Sequence, residues 1–463
     1  MTGSMSSLNT ALSALRFNRV ALDVAANNIA NQATEGYTRR RAVGASVGTP
    51  AVPASWSTYD GVGGGVSVSS LDRINDDLLD TRSRREHASQ SYLAVRSASL
   101  QRIETGIGEP GDNGVSAALA DFRASWHDLA NDPRSEAARG QVLQTANALT
   151  DSIHAQSAAI EAEASDQRSG LVARVEQANA VASSLAATNK AIASAQLGKV
   201  DTSDLMDQRD QLALRLSELT GATATARADG GFDMSVGGAS LVSGPNAARL
   251  TITAGVTSSG ASDGNPIAFG VVSGSTTTAV TGLTGEIGGV TELLTTTLPA
   301  YAAGLSAVTR TLADGVNALH QAGYDLGGTA GGAFFTYDVA DPASTLAVAV
   351  TSTGGVAASS APGGVLNSTT ATALAASGDA ETAYQRLVTG FGTEVASIKR
   401  LTTTQQLLTS QVDSAREQLS GVNLDEEMVS MVSAQRAYEA AARVMTVVDS
   451  VLDTLINRTG LLR

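Results

Sequence analysis

Residues 423–455 read NLDEEMVSMVSAQRAYEAAARVMTVVDSVLDTL. Leu424, Met428, Met431, Tyr438, Ala442, Met445, Val448, Leu452 and Leu455 recur at steps near three and four, the spacing that lines one face of a helix. Asn423 is a good N-cap, and Asp425, Glu426 and Glu427 fall in the first turn, where the helix dipole favours carboxylates. The stretch specifies a long amphipathic helix with a narrow apolar stripe. Such a stripe needs another helix to cover it.

A second helix of this kind is expected at the other end of the chain, from about Ser7 to Asn31. Leu8, Leu12, Leu15, Leu22 and Ile29, with Ala11, Ala25 and Ala26 between them, share one face, and Ser6 or Ser7 can cap the first turn. Asn27, Asn28 and Asn31 are poor helix formers clustered toward its end, and Gly36 then suits a terminating turn. Tyr37-Thr38-Arg39-Arg40-Arg41 follows. Three arginines in a row usually form a solvated face; beside a tyrosine at a turn they can instead contact a partner's carboxylates. The two ends can pair within one chain or become ordered on assembly. In an axial core, Leu8, Leu12 and Leu15 are expected to meet positions such as Leu424, Met431 and Leu452.

Between the ends, residues 43–68 are rich in Gly, Ser, Pro and Thr and read as loop and hairpin. A long helix is expected from near Leu71 to Ile103, its run Arg82-Ser83-Arg84-Arg85-Glu86 mostly solvated, with a break at Gly106, Gly108 and Pro110. Four apolar faces follow, through Val115–Leu129, Val142–Ile160, Leu171–Ile192 and Leu205–Leu219. Composition changes at Gly221, where alternating runs such as Phe232-Asp233-Met234-Ser235-Val236 read as strands. Helix returns from Glu286 to His320 and from Ala380 to Leu419, separated by a second Gly- and Thr-rich stretch that holds Phe334-Phe335 and the alternating run Leu346–Val350.

The expected fold is therefore mainly α with β-rich insertions: an elongated multi-domain chain with a long coiled-coil-like bundle, paired terminal helices and small β domains. Residues 1–42 and 422–463 make the terminal pair. Residues 43–220, 286–322 and 376–421 make the bundle, 221–285 a β-rich insertion, and 323–375 a second β or loop segment.

The composition suits that shape. Of 463 residues 43% are hydrophobic but only 4% aromatic, and small apolar side chains let helices approach along long seams. A net charge of −14 argues against nucleic acid, whose phosphates call for a basic surface. The absence of cysteine removes disulfides and thiolate chemistry. No apolar run approaches the roughly 20 residues needed to span a bilayer, so membrane insertion is not expected. Nor does the N-terminus read as a cleaved secretory signal.

Catalysis finds no support. His87, His127, His154 and His320 are scattered; Gly61-Val62-Gly63-Gly64-Gly65 does not complete a dinucleotide fingerprint, and Gly198-Lys199 lacks the rest of a phosphate loop. The densest acidic set is Asp201, Asp204, Asp207 and Asp210. It lacks the alternating ligands of a calcium loop and reads best as a helix start, with Asp201 as cap, Asp204 in the first turn, and Asp207 and Asp210 near Arg209. No enzyme activity, cofactor or metal is expected.

Ala25-Ala26-Asn27-Asn28-Ile29-Ala30-Asn31 through Gly36-Tyr37-Thr38-Arg39 resembles the N-terminal signature of the flagellar rod, hook and hook-associated axial proteins. Val422–Glu427 with Ala434–Val444 resembles their C-terminal signature. Tyr37, where rod and hook proteins usually have phenylalanine, points to the hook–filament junction class. So do the opening at Asn423, the stretches Asp207–Leu212, Leu216–Leu219 and Gly237–Val242, and the set Val316-Asn317, His320, Gly323–Leu326 and Phe334-Phe335. The resemblance is weakest over 250–285 and 340–375. A hook or distal-rod protein is the alternative, disfavoured by the helical bundle.

What the resemblance implies is a structural subunit that leaves the cell unfolded through the flagellar type III apparatus and needs no cleaved signal. It assembles outside as a ring between hook protein and a second junction protein, and an export chaperone holds its C-terminal helix beforehand. Assembly is expected to rest on Leu8, Leu12, Leu15, Leu22, Asn27, Asn28, Ile29, Asn31, Gly36 and Tyr37 at one end. At the other it rests on Leu424, Met428, Met431, Tyr438, Met445, Leu452 and Leu455.

Overall fold

The computed structural model describes residues 2–47, 63–109, 111, 114–362 and 367–454. The middle section of the expected loop near 43–68 and the site residue Leu455 lie outside them. Helix α1 (Thr2–Ala30) and helix α11 (Leu424–Asp453) pack along one another. Helix α1 begins at Thr2, upstream of Ser6 and Ser7, where the sequence led us to expect its start. Asn423 does cap α11, its amide oxygen accepting from the backbone N–H groups of Asp425 and Glu426.

Strands β1 (Arg40–Ser46) and β2 (Val66–Arg73) form an antiparallel ribbon against α1. Leu71 belongs to this ribbon, opposite Ala42, and not to the helix expected to start there. Helix α2 (Asp77–Ile107) starts six residues later because Asp76 caps it, accepting from Leu78 and Leu79 N–H, and it ends at Gly108 with φ +63°. Ser83 and Arg84 in its charged run are buried, contrary to the solvated reading; the Arg84 guanidinium lies over the Phe232 ring of the β insertion.

Helix α3 (Val115–Asn131) precedes α4 (Glu136–Leu197), a single 62-residue helix that carries two of the apolar faces. Gly170 sits in its middle without breaking it, since one helical glycine costs only about 1 kcal/mol against alanine. Helix α5 (Ser203–Thr220) stops at Gly221, φ +73°. Helix α6 (Gly285–Glu292) continues through a π turn at Leu293–Thr297 into α7 (Leu298–Gln321).

The insertion holds two antiparallel sheets. One comprises β3 (Thr223–Ala226), β4 (Phe232–Val236), β5 (Ala239–Ser243) and β6 (Asn246–Ala247); the other β7 (Arg249–Ala254), β8 (Ala268–Ser273) and β9 (Thr276–Val280). Phe232, Met234 and Val236 point inward as their alternation requires.

The second Gly-rich stretch is more irregular than expected. Strand β10 (Phe335–Thr336) pairs with β11 (Ala347–Val348) over two residues only, and the short helix α8 (Pro342–Thr345) lies between them. The alternating run cannot extend further because Leu346 turns into the bundle core. Thr369–Ala376, placed within the β or loop segment, is helix α9, consistent with its Ala-rich sequence. Helix α10 (Asp379–Ser420) then returns the chain to α11.

Two cores result. One gathers α2, α3, α4, α7, α9 and α10 around Phe122, Trp126, Leu149, Leu305, Phe334, Phe335 and Tyr384. The few aromatics concentrate here: Trp126 and Phe334 centroids are 5.6 Å apart, and Phe334 and Phe335 are 4.9 Å apart. The other core joins the second half of α4 to α5, α6 and the sheets around Leu185, Leu216, Met234, Leu241 and Ile287. Because α4 runs through both, the bundle and the insertion share one rigid spine. Arg139 on α4 fastens the second segment, its buried guanidinium donating to the carbonyls of Pro133 and Val356.

Candidate functional site: the terminal helix pair and its elbow

The pair α1–α11 runs antiparallel, since Asn28 in the last turn of α1 meets Glu427 in the first turn of α11. Their seam is narrow. Apart from Asn28 and Glu427, the buried residues among those described are Ala11 and Ala25 on α1 with Ala434 and Ala441 on α11. Leu8, Leu12, Leu15, Leu22 and Ile29 are half-buried, as are Met431, Met445 and Leu452. Within one chain, Leu424 lies at the end of the pair marked by Asn28, whereas Leu8, Leu12 and Leu15 lie toward its other end, on the side of Leu452. Leu424, Met428 and Tyr438 are exposed, together with Val429, Val432, Val444, Val447 and Val451. Helix α11 therefore carries more apolar surface than α1 covers.

At the end of α1, Asn31 donates to the carbonyl and side-chain oxygens of the exposed Asn27, which closes the turn. Gly36 is exposed with φ +76°, and a Cβ there would meet the side chain of Gln211, whose amide donates to the Glu35 carbonyl. This close approach seats the turn on α5.

Asn28, 1% exposed, uses its whole side-chain amide. It donates to the Arg40 carbonyl (2.9 Å) and to Glu427 Oε2 (3.0 Å), and accepts from the Tyr37 hydroxyl (2.8 Å) and Arg40 N–H (3.1 Å). Burial foremost pushes the Tyr37 hydroxyl above its ordinary pKa, so it stays a donor.

Two of the three arginines leave the solvated face expected of them and meet carboxylates of their own chain, while Arg41 stays exposed. Arg39 reaches Glu427 and Glu426, both at 2.7 Å. Buried Arg40 pairs with Asp204 and, at 3.1 Å, with Asp207, and stacks over the Tyr37 ring. Arg73 at the end of β2 reaches Asp207 at 2.6 Å and Asp210 at 2.7 Å. Burial alone would lower the Arg73 pKa; the Asp210 and Asp207 carboxylates outweigh it and hold it above its usual value. Arg209 continues the network to Asp210 and to the Gly230 carbonyl in the insertion.

Asp204, Asp207 and Asp210 are thus counter-ions for arginines from the elbow. Asp201 accepts from Ser203 N–H and hydroxyl at the start of α5, although Thr202 holds the cap position. Two sets of ion pairs result, Arg39 with the first turn of α11 and Arg40 and Arg73 with α5; Asn28 joins them by hydrogen bonds, and Arg209 extends the second to a backbone carbonyl of the β insertion. Nothing in either resembles a catalytic arrangement. No described helix is long and apolar enough to cross a membrane.

Residues 100–335, half of the chain, match the family model "Flagellar hook-associated protein FlgK helical domain". The chain belongs to that family. Its ends match two further models, "Flagella basal body rod protein" over 8–38 and "Flagellar basal body rod FlgEFG protein C-terminal" over 413–458, which together contain most of α1, the elbow and α11. The chain is 29% identical to flagellar hook-associated protein 1 of Bacillus subtilis over 99% of both chains. It is 26% identical to the protein of that name in Escherichia coli, across 72% of this chain and 60% of the relative's length. A solved structure, the flagellar hook junction protein FlgK from Burkholderia pseudomallei, shares the fold with a TM-score of 0.50 and 24% identity. That match covers 56% of this chain and 47% of the other. Family membership makes the chain a structural subunit of the bacterial flagellum, of the hook-associated, junction class.

Proposed function

We propose that the chain forms a ring between hook and filament, in which the helix pair α1–α11 of each copy packs against the pairs of its neighbours. Hook protein lies on one side of the ring and the second junction protein on the other. The chain reaches this position outside the cell unfolded, through the flagellar type III route, and an export chaperone covers α11 until then. No catalytic role is assigned to it.

The observation that carries this reading is the uncovered apolar surface of α11. Val429 is 70% exposed, Val447 60%, Met428 53% and Val451 46%, while the seam with α1 buries alanines. Burying a wholly exposed side chain of this kind releases about 1.5–3 kcal/mol, so these partly exposed ones must act together, over several contacts per copy, to offset an association cost of about 4–15 kcal/mol. Leu8, Leu12, Leu15, Leu22, Leu424, Met428, Met431, Tyr438, Met445 and Leu452 supply this surface between copies.

The test is a chain lacking residues 5–30, supplied to cells without the native gene. Expected are intact hooks, no filaments, and flagellin lost to the medium. Assembly of the truncated chain at hook tips would overturn the proposal. A Val429→Lys, Val447→Lys double variant, which leaves the intramolecular seam untouched, should fold normally yet fail in the same way.

A further inference from the structure

We propose that His87 is a proton-operated clamp, holding α5 and α10 to α2 as an imidazolium and letting go of one of them as the pH rises. This goes beyond the assembly role and does not depend on it.

His87 lies on α2, with about a quarter of its side chain exposed. Its Nε2 is 2.9 Å from Asp413 Oδ2 and 3.1 Å from Oδ1, on α10. Its Nδ1 is 3.4 Å from Glu218 Oε1, on α5. Both ring nitrogens therefore face carboxylates, and the carboxylates come from different helices. A neutral imidazole carries one N–H and donates to one of them only; its other nitrogen turns a lone pair toward a carboxylate oxygen. Only the imidazolium turns an N–H toward each of them, in a hydrogen bond to Asp413 and an ion-pair contact with Glu218. The geometry thus selects the charged form, and loss of the proton replaces an attraction with a repulsion.

The surrounding charges leave His87 as the bridge. Arg215 on α5 pairs with Glu218 at 3.0 Å and with Glu286 of α6 at 2.9 Å, so Glu218 keeps a cation when His87 is neutral. Asp413 also accepts from the Ser83 hydroxyl. On α2 itself, Glu86 is engaged by Arg85 and by Gln405 of α10, and Arg84 lies over Phe232. Arg416 of α10 pairs with Asp80.

Position gives the clamp its consequence. Asp413 lines an open polar cleft of about 630 Å³ at the elbow, together with Tyr37, Arg39, Arg416, Gly421 and Glu426. The cleft lets water reach the separating groups. The last two turns of α10, which carry α11, are held to α2 by His87–Asp413, Arg416–Asp80 and the Ser83 hydroxyl. Loss of the imidazolium charge weakens the first, whichever carboxylate keeps the N–H, and so loosens the base on which the terminal pair stands.

Hydrogen bonds to Glu218, opposed by burial and reinforced by Asp413, raise the His87 pKa above its ordinary value of 6.5. The stabilisation is then fully present below that ordinary value and is lost as the pH rises through the raised one.

Three measurements on the full chain test the clamp. Proton NMR of the four histidines, with His87 assigned by its absence in His87→Gln, should show it titrating above the ordinary value; Asp413→Asn should bring it down. The stability difference between wild type and His87→Gln should shrink between pH 6 and pH 9. Each unit of raised pKa corresponds to a tenfold change in the folding equilibrium. The wild-type to variant ratio of hydrogen-exchange rates for amides 413–423 should rise toward one over the same range. A His87 that titrates at or below the ordinary value, or a stability difference that stays flat with pH, would overturn the proposal. If His87→Gln does not fold, the four histidines are compared between wild type and Asp413→Asn: one must titrate above the ordinary value and move down in the variant, and if none does the proposal is overturned.

Discussion

Replacing Asn28 with alanine should unfasten the terminal helix pair without unfolding the bundle. The side chain makes four hydrogen bonds, three to neutral partners and one to the Glu427 carboxylate. Neutral bonds contribute about 1 kcal/mol each and a bond to a charged group about 1.5–3 kcal/mol, an additive total near 5 kcal/mol. Part of this is recovered, because Glu427 keeps Arg39 at 2.7 Å and the half-buried Tyr37 hydroxyl gains access to water. A net loss of about 3 kcal/mol remains, equivalent to about a 150-fold rise in the population of open elbows. Neither hydrophobic core includes Asn28, so the main unfolding transition should stay where it is. Native-state hydrogen exchange resolves the two effects, since local openings report their own free energies. Amides in 24–40 and 424–434 should exchange about 100-fold faster, while those in the centre of α4 keep their protection. If the elbow amides change less than fivefold, or if α4 loses protection in parallel, the elbow is not the separate unit argued above.

Two other outcomes follow from the same geometry. Phe334→Ala empties a fully buried site among Phe122, Trp126, Phe335 and His320 and should cost about 3–5 kcal/mol, read as a lower denaturant midpoint with an unchanged slope. An equal loss from exposed Val432→Ala would show that the aromatic cluster is not special. His320 should respond to pH in the opposite sense to His87. Its Nδ1 donates to the Gly332 carbonyl and its Nε2 accepts from Ala357 N–H, an arrangement only the neutral ring satisfies, and burial lowers its pKa. Stability should therefore fall as pH drops below the ordinary histidine value of about 6.5. The drop should be missing in a variant whose residue 320 does not titrate, such as His320→Gln, provided it folds.

Much of the architecture was legible along the chain. Residues that repeat every three or four positions, a capping asparagine at 423 and a glycine at 221 act through backbone geometry within a few residues. Their effect needs no knowledge of distant segments, and the mainly helical fold with β-rich insertions followed from them; the family rested instead on the resemblance of the particular residues at both ends to the axial-protein signatures. Errors arose where a local signal had a non-local competitor. Leu71 continues the helical spacing of Ile74 and Leu78, yet pairing with Ala42 holds it in a strand until Asp76 caps α2. The alternation at Leu346–Val350 gives way because the core takes Leu346.

The elbow was decided by tertiary structure. Arg40 lies 167 positions from Asp207, and Asn28 lies 399 from Glu427. Seen in sequence, three arginines and a ladder of aspartates are each ordinary solvated or capping charges. Only the fold brings Arg39 to Glu427 and Arg40 to Asp207, carboxylates that are nearly buried, where water screens poorly and a charge must find a partner. By itself the sequence determined that the ends are helices with apolar stripes, because periodicity is a property of neighbouring residues. Which part of each stripe stays inside the chain, and which charges lock the pair to the bundle, depends on distances in space that no local pattern encodes.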